Sequence, residues 1–150
     1  SGRFERGDPA ATNSGGAKQL GTTVSGVNDL VTGRLAGTSA GAYDVDGGVT
    51  AITSPAIALT GGSSYTLSFS YYMAHGSNSS SADYLRIRIG GTTVFQELGA
   101  ANNDNGAWAT ASVNLSAFAG QTVQLVVEAA DLSGASLVEA AVDDVRVTRG

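Results

Sequence analysis

The sequence of 150 residues contains no cysteine, two prolines, one histidine and a single lysine, Lys18. Without cysteine the chain has neither a disulfide framework nor thiol chemistry. One histidine, His75, is too few for a zinc site built from histidines, and it argues against a histidine-dependent catalytic triad. No apolar run approaches the roughly 18 residues that a membrane span needs. These shortages exclude several classes of protein before any pattern is considered.

Charge is also scarce, and most of it is negative. Thirteen acidic residues face eight basic ones, which gives a net charge of −5, and the arginines are scattered. Nucleic-acid binding depends on clustered lysine and arginine, so no nucleic-acid partner is expected. A weakly charged chain rich in Gly, Ala, Ser and Thr is typical of a secreted bacterial β-protein. We interpret Ser1-Gly2 as a tag remnant and residues 3–150 as one domain.

Short apolar runs separated by Gly-rich turns predict an all-β fold. Tyr65–Tyr71 and Tyr84–Ile89 alternate with the period of a strand, and no window keeps the 3.6-residue period of a helix. Further strands are predicted at 20–24, 29–32, 49–53, 56–59, 93–98, 108–115, 122–129 and 138–147. About eight strands joined by such turns predict a two-sheet antiparallel β-sandwich, a jelly roll, which we expect to be a monomer.

The last predicted strand carries three carboxylates, those of Glu139, Asp143 and Asp144. Strands disfavour Asp, and adjacent carboxylates repel each other, so either a Ca²⁺ ion or a buried hydrogen-bond network must compensate. Two other pairs of acids could join a calcium site: one beside Gly47-Gly48, and one in the first strand if that strand lies next to the last. The predicted metal ligands are therefore Asp143, Asp144, Asp46, Asp44, Glu139, Glu5 and Asp8. Simple turn caps and salt bridges are the alternative.

A second candidate site combines tyrosine with arginine. Tyr72 and Tyr84 fall out of phase with the apolar positions of their strands, and Arg86 and Arg88 emerge opposite Leu85, Ile87 and Ile89. These four residues, Tyr72, Tyr84, Arg86 and Arg88, are predicted to share one sheet face that binds a polysaccharide or a peptide. An ordinary polar face is the alternative, and it would follow if an acid such as Glu128 neutralises the arginines.

The sequence does not predict an enzyme. His75 and Asp83 could form a triad on paper with Ser79 or Ser80, but the Gly-x-Ser-x-Gly turn that exposes a nucleophile is missing. A loop with four close serines is more simply a solvated tip. We therefore expect no catalytic residues.

Several segments resemble a known group of domains. They are Asp44–Gly48, Thr53–Pro55, Trp108–Val123 and Glu139–Asp144. In this order they resemble the jelly-roll accessory domains attached to secreted bacterial hydrolases, especially C-terminal to zinc carboxypeptidases and other peptidases. Such domains look like MAM-type and carbohydrate-binding jelly rolls, and the likeness covers about residues 40–148. It implies no activity of its own, a structural Ca²⁺ and a binding role.

These observations predict a non-catalytic, Ca²⁺-stabilised accessory or binding domain of a secreted bacterial hydrolase. The expected partner is a polysaccharide, a protein matrix or a catalytic domain in the same precursor. A dedicated carbohydrate-binding module is the first alternative. A purely structural domain that aids folding or secretion is the second.

Overall fold

The computed structural model describes residues 2–150. Strands account for 47% of it, and the only helix in the described part is a 3-10 turn at Ser116–Phe118. The strands are β1 (Phe4–Gly7), β2 (Asp29–Thr32), β3 (Gly48–Thr53), β4 (Ile57–Ala58), β5 (Tyr65–His75), β6 (Tyr84–Ile89), β7 (Thr92–Leu98), β8 (Ala109–Asn114), β9 (Thr122–Val123), β10 (Leu125–Asp131) and β11 (Val138–Arg149). None of the described residues belongs to a helix long and apolar enough to cross a membrane.

The strands form a two-sheet antiparallel sandwich, as predicted. One sheet has the order β1-β2-β11-β5-β8, the other has the order β3-β10-β6-β7, and β4 and β9 form a small ribbon. Without β1 and the ribbon, eight strands remain in two four-stranded sheets. Apart from the hairpin of β6 and β7, successive strands of these eight alternate between the two sheets in the order of a jelly roll.

The core lies between the two sheets, because each strand turns alternate residues inward. Leu67 and Phe69 of β5 face Leu85 and Ile87 of β6, and all four side chains are at most 3% exposed. The ring of Phe69 also packs edge-to-face against Phe95, with 4.9 Å between the ring centroids. Full burial of such side chains contributes about 1.5–3 kcal/mol each.

Two of the strand predictions match the structure at both ends. Residues 29–32 and 84–89 are strands with the predicted bounds. The predicted strand at 20–24 is wrong, because these residues belong to an irregular segment. β1 pairs with β2 rather than with β11, so β2 separates the first strand from the last.

The irregular segment, residues 8–28, joins β1 to β2 and is called the strap here. It lies on the outer face of the five-stranded sheet. Its contacts include two hydrogen bonds between side chain and backbone: the amide of Leu20 donates to the hydroxyl of Tyr72 (3.1 Å), and the indole of Trp108 donates to the carbonyl of Thr22 (3.0 Å). The strap therefore buries a sheet face that would otherwise meet water.

Candidate functional site

The two adjacent aspartates of β11 lie at a β-bulge. Asp143 is opposite Ser70 and Arg146 is opposite Ser68, so two residues of β11 face the single residue between them. Asp144 has a φ of 52°, a left-handed conformation that Asp tolerates better than most residues. Its carboxylate pairs with the guanidinium of Arg146 at 2.8 Å. The bulge and this ion pair accommodate the Asp144 carboxylate within the strand.

Asp143 binds the strap. Its Oδ2 accepts hydrogen bonds from the amides of Val24 (2.7 Å) and Ser25 (2.9 Å), and its Oδ1 accepts one from the amide of Asp144 (2.7 Å). For this residue the structure therefore contains the hydrogen-bond network that was the alternative to a metal. The network also fixes the strap against β11.

Asp29 is the functional candidate that the sequence analysis missed. β2 and β11 pair Val31 with Ala141 and Leu30 with Val142, and continuing this register places Asp29 beside Asp143. Asp29 is only 3% exposed, and neither of its carboxylate oxygens has a hydrogen-bond partner in another residue within 2–150. An unpaired carboxylate in such a place is costly unless a proton or a cation neutralises it.

The electrostatics of Asp29 agree with its geometry. Burial, and then the neighbouring charge of Asp143, raise the pKa of Asp29 to about 7, and Asp8 contributes in the same direction. A cleft of about 210 Å³ next to Asp29 is also lined by Arg6, Asn28 and Asp143. Two carboxylates therefore lie beside a small cleft. Arg6 also lines the cleft and would repel a bound cation.

This pair fits a hard cation only with help from other oxygens. No group of three or more His, Cys, Asp or Glu side chains within residues 2–150 is arranged to hold a metal ion. Ca²⁺ takes six to eight oxygens and accepts backbone carbonyls and water among them. Asp29 and Asp143 would be its side-chain ligands, with the remaining oxygens coming from backbone and solvent.

Asp44, Asp46 and Glu139 form a separate acidic group near the start of β11. Glu139 is 2% exposed and accepts a hydrogen bond from the hydroxyl of Thr12 at 2.9 Å. Burial raises the pKa of Glu139 to about 8, and burial followed by the charge of Asp46 raises that of Asp44 to about 6. Four residues of extended chain, roughly 13 Å, separate Glu139 from Asp143. The seven predicted ligands therefore do not converge on one site.

Glu5 and Asp8 were predicted to lie near the last strand, and this placement is only partly right. Because β2 lies between β1 and β11, Glu5 is kept away from Asp143. Glu5 instead accepts a hydrogen bond from the amide of Arg34 at 2.7 Å, and its other oxygen is 3.7 Å from the Arg34 side chain. Asp8 alone approaches the pair formed by Asp29 and Asp143.

The predicted face shared by tyrosine and arginine does not form as expected, because Tyr72 belongs to the other sheet. Tyr72 points outward from β5, as its phase predicted, but the strap covers it and leaves it 2% exposed. Its ring packs edge-to-face on Trp108, with centroids 4.8 Å apart. Tyr72 is thus a packing residue beneath the strap, far from the four-stranded sheet.

Tyr84, Arg86 and Arg88 do share the outer face of the four-stranded sheet, but both guanidinium groups are engaged. Arg86 stacks on the ring of Tyr84 at 3.9 Å and donates to the side chain of Gln96 at 3.0 Å. Arg88 forms an ion pair with Glu128. Glu128 therefore neutralises Arg88, as the alternative required, whereas Arg86 is held by Tyr84 and Gln96 without an acidic partner.

The residues that could form a triad in the sequence instead make contacts that hold loops together. The hydroxyl of Ser79 donates to Asp83 at 2.7 Å, and Asp83 also accepts the amides of Ser80 and Leu132 at 2.9 Å each. His75 lies 4.0 Å from Asp104, on a different loop. The hydrogen bonds therefore do not run from serine to histidine and from histidine to aspartate, as nucleophilic catalysis needs.

The sequence matches the profile of one known family over most of its length. The profile described as "MAM domain, meprin/A5/mu" matches residues 38–150. The chain belongs to the MAM domain family. MAM domains are non-catalytic accessory modules of an extracellular type, found within larger proteins. The resemblance to MAM-type jelly rolls is therefore confirmed, whereas attachment to a bacterial hydrolase stays a prediction.

The match begins after β2, so the strap and Asp29 precede the matched residues. The chain is also similar to two solved structures, an apo cyclase from Fischerella sp. and a cyclase from Fischerella sp. TAU in complex with 4-(1H-indol-3-yl)butan-2-one. Each is 14% identical over 98% of this chain, with a TM-score of 0.46, and 82% and 84% of those chains are covered. No curated protein matches the sequence.

Proposed function

We propose that this MAM domain is a Ca²⁺-stabilised, non-catalytic binding module of a secreted protein, and that it accompanies a hydrolase such as a peptidase. The observation that carries the calcium part is Asp29, a buried carboxylate whose oxygens lack partners in other residues and which lies beside Asp143. Membership of a family of extracellular accessory modules supports the binding role.

Calcium would stabilise the fold by neutralising the charge between β2 and β11. Asp143 already holds the strap amides of Val24 and Ser25, and Asp29 is the first residue after the strap. An ion held by Asp29 and Asp143 would therefore tie the strap, β2 and β11 together. When bound, it supplies a positive charge that offsets the repulsion between the two carboxylates.

Thermal unfolding in Ca²⁺ and in EGTA tests this proposal. A ligand that binds only the folded state at about 100 times its Kd adds ~2.7 kcal/mol, which is about 5–10 °C in Tm for a domain of this size. We expect such a rise for the parent chain and for Asp144→Asn, because the Asp144 carboxylate is paired with Arg146. We expect none for Asp29→Asn, which keeps the shape of the side chain but not its charge.

Two results would contradict the proposal. An equal Tm in Ca²⁺ and EGTA for the parent chain would reject the calcium part. A rise in Tm for Asp29→Asn as large as that of the parent chain would show that the ion binds elsewhere, for example at Asp44 and Glu139. An Arg6→Gln variant separates a weak site from an absent one, because removal of the arginine beside the cleft should strengthen cation binding.

A further inference from the structure

Two clefts flank the start of β1, away from Asp29. The first, of about 350 Å³, is called the aromatic cleft and is lined by Phe4, Leu35 and Tyr43 among others. The second, of about 420 Å³, is called the glycine cleft and is lined by residues 45–51. Both clefts are also lined by Gly2 and Arg3. Each volume lies in the range of small-ligand sites. Because Gly2 and Arg3 line both clefts, the two clefts are adjacent, with Arg3 between them, and the pair is called the groove.

Close packing against glycines holds the aromatic ring at the wall of this groove. Tyr43 is 45% exposed, yet a Cβ added at Gly37 would lie 2.9 Å from its ring. A Cβ at Gly33 would lie 2.7 Å from its carbonyl oxygen. Both glycines have positive φ, 66° and 96°, so the loop conformation that positions Tyr43 depends on them. Leu35, 48% exposed, adds a second apolar surface.

The charge at the centre of the groove is available to a ligand. Arg3 is exposed and makes no hydrogen bond or ion pair with any other residue of the described chain. Glu5, which also lines the aromatic cleft, is engaged by Arg34. The groove thus combines a half-exposed aromatic ring, an aliphatic side chain and a guanidinium without a carboxylate partner, in a molecule whose net charge is −5.

We propose that this groove binds an acidic oligosaccharide, with a uronic-acid unit at Arg3. A sugar ring presents a C–H face that packs on an aromatic ring such as Tyr43, and its carboxylate matches the two-pronged donors of a guanidinium. The glycine cleft is lined by Thr50, whose hydroxyl accepts the amide of Phe4 and can still donate a hydrogen bond to a hydroxyl of the next sugar unit. A peptide has a carboxylate only at its C-terminus or on acidic side chains, and it has hydroxyls only on Ser, Thr and Tyr, whereas every unit of an oligosaccharide presents several to the polar half of the groove.

This inference names a ligand for the binding module proposed above and uses residues separate from the calcium pair. Its test is titration of trigalacturonic acid into the ¹⁵N-labelled chain, in Ca²⁺ and in EGTA, with dissociation constants taken from the shifts of the amide signals. We expect saturable shifts at Gly33, Leu35 and Gly47 in the parent chain. Loss of the charged pair in Arg3→Gln, and loss of the ring in Tyr43→Ala, should each weaken binding about tenfold or more.

Three controls make the result specific. Arg149 is an exposed arginine at the last residue of β11, at the end of that strand opposite to the groove, and it donates to Ser63. Arg149→Gln should therefore change the dissociation constant less than about twofold. The trimethyl ester of trigalacturonic acid, which has no charge, should bind as weakly to the parent chain as the acid binds to Arg3→Gln. Circular dichroism confirms that each variant is folded.

Absence of saturable shifts with trigalacturonic acid would overturn the inference. Equal losses in Arg3→Gln and Arg149→Gln would also overturn it, because they indicate unspecific charge attraction. Tighter binding of a short peptide with a free C-terminus, at the same amides, would identify a peptide rather than a sugar as the ligand. If the ligand fails while Ca²⁺ still raises Tm, only the ligand assignment falls and the proposed function stands.

Discussion

Glu139 illustrates how single residues govern the stability of this protein. Its folded-state pKa, about 8, lies above the value of 4.5 for an exposed Glu. A raised pKa means that the folded chain binds the proton more tightly, so this stabilisation is complete below pH 4.5 and is lost as the pH rises through 8. Because one pKa unit corresponds to about 1.36 kcal/mol, the free energy of unfolding falls by roughly 3–5 kcal/mol between pH 4 and pH 8.

The substitution Glu139→Gln tests this pH dependence. The amide stays neutral and can still accept a hydrogen bond from Thr12, so the variant should match the parent chain near pH 4 and exceed its stability at pH 8. Urea unfolding in EGTA at several pH values measures the difference. Parallel pH profiles for the two proteins would show that Glu139 is already ionised in the fold.

Asp29 and Asp143 show the limits of sequence analysis at this scale. The sequence singled out Asp143 because two adjacent acids in a strand need compensation. Asp29 stands alone at the start of a predicted strand, so it gave no comparable signal. Only the pairing of β2 with β11 places the two carboxylates side by side, and this pairing joins segments more than 100 residues apart.

At the scale of elements, the strap explains most of the buried polar groups on the outer face of the five-stranded sheet. Its hydrogen bonds reach Tyr72, Glu139 and Asp143. Tyr72→Phe keeps the ring packed on Trp108 but leaves the amide of Leu20 without its acceptor. We expect this change to cost about 1 kcal/mol in the free energy of unfolding.

The matched control for this prediction is Tyr43→Phe, whose ring is half exposed and whose stability should stay within about 0.5 kcal/mol of the parent. Hydrogen exchange adds a local measurement, because the amide of Leu20 should lose protection in Tyr72→Phe only. Equal stability of the two variants would mean that the strap contributes little at this contact.

The elements differ in how far they could be predicted. The strands β5 and β6 follow from alternation alone, since one face of each packs in the core. The strap has no period, because its contacts are isolated hydrogen bonds rather than a repeated apolar face. The bulge at Asp144 was equally hidden, although it explains how two adjacent aspartates fit in one strand.

At the scale of the whole molecule, the region that matches the MAM family, residues 38–150, contains seven of the eight jelly-roll strands, and β2 precedes it. β1 and β2 form one side of the five-stranded sheet, and the strap between them covers the outer face of that sheet. The proposed calcium pair lies where β2 meets β11, and the proposed ligand groove lies where β1 meets the loop before β3. Both proposed sites therefore combine residues that precede the family match, such as Asp29 and Arg3, with residues inside it, such as Asp143 and Tyr43.

Calorimetric titration of Ca²⁺ into the metal-free chain shows whether Asp29 and Asp143 hold an ion. We expect saturable binding of one Ca²⁺ per chain, retained in Asp144→Asn and abolished in Asp29→Asn. Absence of saturable binding in the parent chain, or unchanged binding in Asp29→Asn, would contradict this expectation.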